Sequence, residues 1–124
     1  MIIRDIDDLF RSVKDERQFE INTGLREIEE QKKLIMSNLS LAYTKKGFDK
    51  EAIELDKQII SMDRNFDKSY ARLITRYIKL NNIHQAQIYA DQLRTLFKPD
   101  TVLKYKDILS SFDELLKKSE ENVS

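Results

Sequence analysis

An all-α fold of short, paired helices is what this sequence predicts, and three observations predict it. Apolar residues recur at steps of three and four nearly throughout, and no segment alternates with a β-branched or aromatic bias. The 124 residues hold only two glycines and one proline, too few for a turn-rich β architecture, while 35% are charged, as a solvated helical surface requires. The apolar stripes are also interrupted at a nearly regular interval. No sheet is expected.

The first helix uses Ile2, Ile6, Leu9, Phe10 and Val13 as its buried stripe and ends in Lys14-Asp15-Glu16-Arg17. Asn22-Thr23-Gly24 then breaks the pattern. A long helix follows from about Leu25, with Ile28, Ile35, Leu39, Ala42 and Tyr43 on its core side, and stops at Lys46-Gly47, where glycine can take the left-handed conformation. Asp49 caps the next helix, whose core side is Ala52, Ile53, Ile59, Ile60 and Met62, ending near Asp63. Asp67 opens another, carrying Tyr70, Leu73, Ile74 and Tyr77 up to Asn81-Asn82, a stop followed by a cap. Ala86, Ala90 and Leu93 mark the next, which Lys98-Pro99 ends. Asp100 or Thr101 caps a final helix with Tyr105, Ile108, Leu109, Phe112, Leu115 and Leu116 on one side. Glu120 to Ser124 have nothing apolar to hold them and are expected to fray.

One domain suits this length. The absence of cysteine removes disulfides, thiolate metal sites and cysteine nucleophiles together, and fits a reducing compartment. No apolar run has the length of a membrane span, and Met1-Ile2-Ile3-Arg4-Asp5 lacks the apolar core of a signal peptide, so a soluble, cytoplasmic protein is expected. A net charge of zero hides an asymmetry: residues 1–30 carry five basic and nine acidic side chains, 31–106 fifteen and eight, 107–124 two and five. The basic middle favours an anionic partner, and acts on association rate more than on affinity.

Shifting the chain by thirty-four residues superposes Leu39 on Leu73, Tyr43 on Tyr77 and Ala52 on Ala86. As they stand, the two segments read Asn38-Leu-Ser-Leu-Ala-Tyr43, Gly47, Ala52-Ile53 and Arg72-Leu-Ile-Thr-Arg-Tyr77, Asn81, Ala86. In length and in this Leu, Tyr, Ala order the sequence resembles a tetratricopeptide repeat protein. It departs from the family at Ile74, Ile59 and Leu93, where small residues are usual, and at Phe48 and Arg64. The resemblance implies a short right-handed α-solenoid with a C-terminal capping helix. Residues 1–119 then form a single domain: a partial repeat over 1–24, repeats over 33–66 and 67–100, a capping helix over 101–119, and a frayed tail over 120–124.

The stretch Ser37-Asn38-Leu39-Ser40-Leu41-Ala42-Tyr43 is most similar to the repeat domain of tetratricopeptide-containing immunophilins. Co-chaperones of that kind hold the acidic C-terminal tail of a 90-kDa or 70-kDa heat-shock chaperone. They use an Asn on one helix with Lys and Arg four apart on the next, and the resemblance assigns those roles to Asn38, Lys68 and Arg72. Such a clamp needs an amide because it donates without adding charge, and two cations because a terminal aspartate presents two carboxylates. Lys45, Arg76 and Lys79 extend the basic surface. The family's clamp also takes a Lys and an Asn from a preceding repeat helix, for which residues 1–24 offer only substitutes such as Arg4 and Arg11.

Catalysis is hard to build from these residues, and no enzyme and no cofactor is expected. His84 is the lone histidine, placed at a helix start, and without cysteine it completes no zinc ligand set. Glu27 and Glu30 read as a wet helix face, and Gly24 and Gly47 are too isolated for a phosphate loop. The alternative function is a structural helical subunit of a larger assembly, ribosome- or RNA-associated, with the basic middle on phosphates. The incomplete first repeat also leaves a homodimer open, through an apolar groove beside Ile2, Ile6 and Phe10.

Overall fold

A computed structural model describes residues 6–123 of the chain. It shows six α-helices in the order α1 (Ile6–Lys46), α2 (Asp49–Met62), α3 (Asp67–Lys79), α4 (Ile83–Leu96), α5 (Pro99–Lys104) and α6 (Lys106–Val123). No strand occurs among the described residues. The chain divides between Ile35 and Met36 into two units, the first consisting of the N-terminal part of α1 and the second of its last turns with α2 to α6.

The break expected at Asn22-Thr23-Gly24 does not occur, and α1 runs 41 residues without interruption. A glycine inside a helix costs about 1 kcal/mol relative to alanine, which the strong helix formers Leu25, Arg26 and Glu27 that follow it offset. Asn22 also accepts a hydrogen bond from Gln18 Nε2 at 2.9 Å, one turn earlier, and so is not used as a cap. Most of the stripe expected to be buried along this helix is exposed instead: Ile6, Leu9, Phe10, Val13, Ile28, Ile35, Leu39 and Ala42 face solvent, and Tyr43 is half-buried. A lone helix has nothing of its own to bury a face against, and the first unit is a lone helix. Ile2 and Arg4 lie outside the described residues.

In the second unit α2 packs on α3, α3 on α4, and α6 on both α3 and α4. Tyr70, Leu73, Ile74 and Tyr77 of α3 form the centre of its core. They meet Ala86, Ala90 and Leu93 of α4 and Leu109 and Phe112 of α6. Ala52 and Ile59 bury the matching side of α2. Among the aromatics, Tyr77 stacks on Tyr89 and Tyr70 meets Phe97 edge to face, at 6.0 and 5.2 Å between centroids.

A thirty-four-residue period runs through the backbone as well. Helices α2 and α4 have 14 residues each, and both ends of α4 lie thirty-four positions after those of α2. The turns before them match too. Gly47 (φ 80°) and Asn81 (φ 58°) are both left-handed, and each is followed by a residue whose N–H reaches back five positions, Phe48 to the Tyr43 carbonyl and Asn82 to that of Tyr77. The two turns are Schellman stops, which need a left-handed residue at that place.

Three helix starts differ from expectation. Asp49 and Asp67 are first helical residues and not caps; Phe48 and Phe66 precede them with no side-chain cap bond, because both carboxylates are engaged elsewhere. Asn82 does cap α4, accepting from the Gln85 N–H. The C-terminal segment is two helices instead of one. Pro99 opens α5 from its first turn, and the chain re-forms as α6 after Tyr105, whose N–H closes a tight turn on the Val102 carbonyl. Helix α6 runs to Val123.

Candidate functional site

The basic residues singled out by sequence fall on two helices of the second unit. Lys68, Arg72 and Arg76 stand one turn apart on α3 and share a face; Asn38 and Lys45 belong to the last turns of α1. Between these helices in the chain comes α2, and two of its acidic residues engage Arg72 and Arg76.

Asp56 is the centre of the arrangement. It is 3% exposed, and burying a carboxylate is costly unless hydrogen bonds compensate it. Arg72 provides most of that, donating from Nε and Nη2 to Oδ1 at 3.0 and 2.7 Å. Ser69, one turn before Arg72, donates to Oδ1 at 3.0 Å, and Ser40 of α1 donates to Oδ2 at 2.8 Å. The Ser40 oxygen also lies 3.3 Å from the Ala52 carbonyl, but its single proton goes to the nearer, charged acceptor. One buried carboxylate thus ties α1, α2 and α3 together.

A second pair lies along the same seam. Arg76 Nη1 donates to Asp49 Oδ1 at 2.6 Å, with both side chains largely buried, and Lys79 Nζ stands 4.0 Å from the same oxygen. Asp49 and Asp56 lie seven residues apart on α2, Arg76 and Arg72 four apart on α3, and the pairs run in opposite senses. The result is a ladder between antiparallel helices. Sequence reading missed Asp56, although acidic residues two turns apart beside a basic stripe of the next helix carry the signal for such a ladder.

The remaining polar groups stay open. Asn38, Lys45 and Lys68 are exposed and make no hydrogen bond or ion pair among the described residues. Arg72 keeps a fifth of its side chain exposed, and its Nη1 makes no hydrogen bond there. The structure therefore sorts the five residues: Arg72 and Arg76 are fixed by internal acids, with one edge of Arg72 still open, while Asn38, Lys45 and Lys68 are free. No hydrogen bond joins any two of the five.

At the start of α3, Asp67 accepts from Tyr105 Oη at 2.5 Å and from Lys104 Nζ at 3.2 Å. Burial pushes the Asp67 carboxyl up, but these two donors outweigh it and hold its pKa below the ordinary value. Burial and the same carboxylate raise the Tyr105 phenol. Among the described residues no cluster of His, Cys, Asp or Glu has metal-binding geometry, and no helix is long and apolar enough to cross a membrane.

No protein-family model, curated protein or solved structure matches this chain.

Proposed function

We propose that the chain is a protein-binding adaptor of the tetratricopeptide kind, a short solenoid of helix pairs that takes an acidic C-terminal tail of a heat-shock chaperone. The observation that carries the reading is the coincidence of two independent periods. The apolar register and the Schellman-stopped helix both recur after thirty-four residues, as a chain of stacked helix pairs requires. Within that frame Asn38 and Lys68 sit at corresponding faces of consecutive first helices, with open donors.

The ligand chemistry follows from which donors are open. A terminal aspartate brings two carboxylates; Lys68 and Lys45 offer ammonium groups, Asn38 an uncharged amide, and Arg72 its Nη1 edge. Most of the positive charge of Arg72 and Arg76 is already compensated by Asp56 and Asp49, so the tail meets two free cations instead of four. Binding is then modest, fast and salt-sensitive. Cytoplasmic residence follows from such a partner.

A calorimetric titration with a free-acid peptide ending in Glu-Glu-Val-Asp tests this. Binding at low salt, abolished by C-terminal amidation and weakened at least tenfold by Lys68→Ala, is the expected result. Equal affinity for acid and amide, or none for either, refutes the tail reading. Retention on RNA instead, lost in high salt, would favour the structural-subunit alternative.

A further inference from the structure

From residue 6 to residue 35, α1 carries an apolar seam whose spacing is nearly palindromic. Its positions are Ile6, Phe10, Val13, Arg17, Ile21, Leu25, Ile28, Lys32 and Ile35, at offsets of 4, 8, 11 and 15 before Ile21 and 4, 7, 11 and 14 after it, so that the two halves mirror each other to within one residue. At 100° per residue they occupy one face of the helix. Every apolar member is exposed, Val13 by 38% and Phe10 by 68% at the extremes. Isolated exposed apolar residues mean little, but a continuous stripe over a whole helix face does.

We infer that this seam pairs with the same seam of a second copy, in an antiparallel two-stranded coiled coil with Ile21 on the two-fold axis. The spacing selects both the occupant and its direction. Turning a second α1 about Ile21 sets Phe10 against Lys32 and Arg17 against Leu25, while Ile6 and Val13 come level with Met36 and Glu29, each one position past the seam residues Ile35 and Ile28. Both charged members then lie against apolar partners. The Lys32 ammonium reaches the Phe10 ring, where a cation is attracted to the π face, and the Arg17 stem covers Leu25. A parallel pair would instead stack Arg17 on Arg17 and Lys32 on Lys32 in the seam, a repulsion that only separation relieves.

Charge outside the seam agrees with the same direction. Asp7 of the acidic first turn comes near the exposed Lys32 of the other copy, at both ends of the pair. The exposed apolar seam amounts to on the order of 800 Å² per copy, the per-partner area of a standard interface. Because the contact is isologous, two copies close it and no further growth follows.

Sedimentation of the full chain over a concentration series tests the inference. It predicts a dimer, which Ile21→Glu weakens about a hundredfold by setting two carboxylates against each other on the axis. Phe19→Glu, at an exposed position on the opposite side of the helix, leaves the dimer unchanged. Circular dichroism matching the parent shows that neither substitution acts by unfolding. Orientation is read by oxidation of single cysteines in this cysteine-free chain. Ile21→Cys cross-links to its own copy, whereas Ile35→Cys does not, its counterpart being about 42 Å away at 1.5 Å per residue. A monomer at all concentrations, a dimer lost with Phe19→Glu but not with Ile21→Glu, or cross-linking through Ile35→Cys would each overturn it.

Discussion

Replacing Arg72 by alanine separates a structural role for this guanidinium from a ligand-binding one. The substitution leaves the Asp56 carboxylate, 3% exposed, with only the hydroxyls of Ser40 and Ser69. Removing one partner of a buried ion pair costs about 3–5 kcal/mol, because the other charge is stranded. Arg72 itself is 21% exposed in its side chain, so water enters where the guanidinium was, and the lower end, about 3 kcal/mol, applies. For a unit of this size that is a fall in Tm of roughly 12–24 °C. Urea unfolding followed by circular dichroism measures it, with Lys68→Ala as the comparison; that side chain is exposed and unpaired, and its loss stays within about 0.5 kcal/mol. The double variant Arg72→Leu, Asp56→Leu should recover much of the loss, since no charge is then left alone. A cost below about 1 kcal/mol for Arg72→Ala would mean that the guanidinium does not support Asp56, and the ladder between α2 and α3 would have to be abandoned.

Further outcomes follow from single sites. Gly24→Ala, with open space around the added methyl, should raise helix content and stabilise α1 by up to about 1 kcal/mol if that helix is continuous; a loss of helicity would restore the break expected from sequence. Phe112→Ala empties the contact of α6 with α3 and α4 and should cost about 3–5 kcal/mol in denaturant unfolding, whereas Arg94→Ala, which removes an exposed pair with Asp113, should cost less than about 1 kcal/mol. Because Asp67 has a lowered pKa when folded, its contribution is present above its ordinary value of 3.8 and is lost as the pH falls through the folded value. Tyr105→Phe removes one of its donors, so the variant should lose less stability than the parent between pH 5 and pH 2, roughly the range over which such a carboxylate titrates.

The second unit was largely legible in the chain. Its stripe at Tyr70, Leu73, Ile74 and Tyr77 and the alanines at 86 and 90 are buried as the three- and four-residue spacing requires, and the stops at Gly47 and Asn81 adopt the left-handed geometry their residue types favour. The first unit was not, since apolar periodicity tells that a helix has an apolar face but not whether anything within the chain covers it. Nor does a glycine announce a break where strong helix formers follow it, as Gly24 before Leu25, Arg26 and Glu27 shows. The split at Tyr105 has no breaker residue; it follows from the tight turn on Val102 and the bond of the phenol to Asp67, thirty-eight positions back. The same limit explains the candidate site. The basic stripe of α3 was visible, but a cation facing a ligand and a cation facing a buried acid of the neighbouring helix look alike until the neighbour's register is known, and Asp56 provides that register.

The proposed function rests on open donors at Asn38, Lys45 and Lys68, and a chemical-shift titration of the isotope-labelled chain with the free-acid peptide examines them one by one. Saturable shifts centred on the backbone and side-chain amides around Asn38, Lys45 and Lys68, with the Asp56 network undisturbed, are the predicted result. Shifts confined to α4, α5 and α6, or none at peptide concentrations well above millimolar, would contradict it.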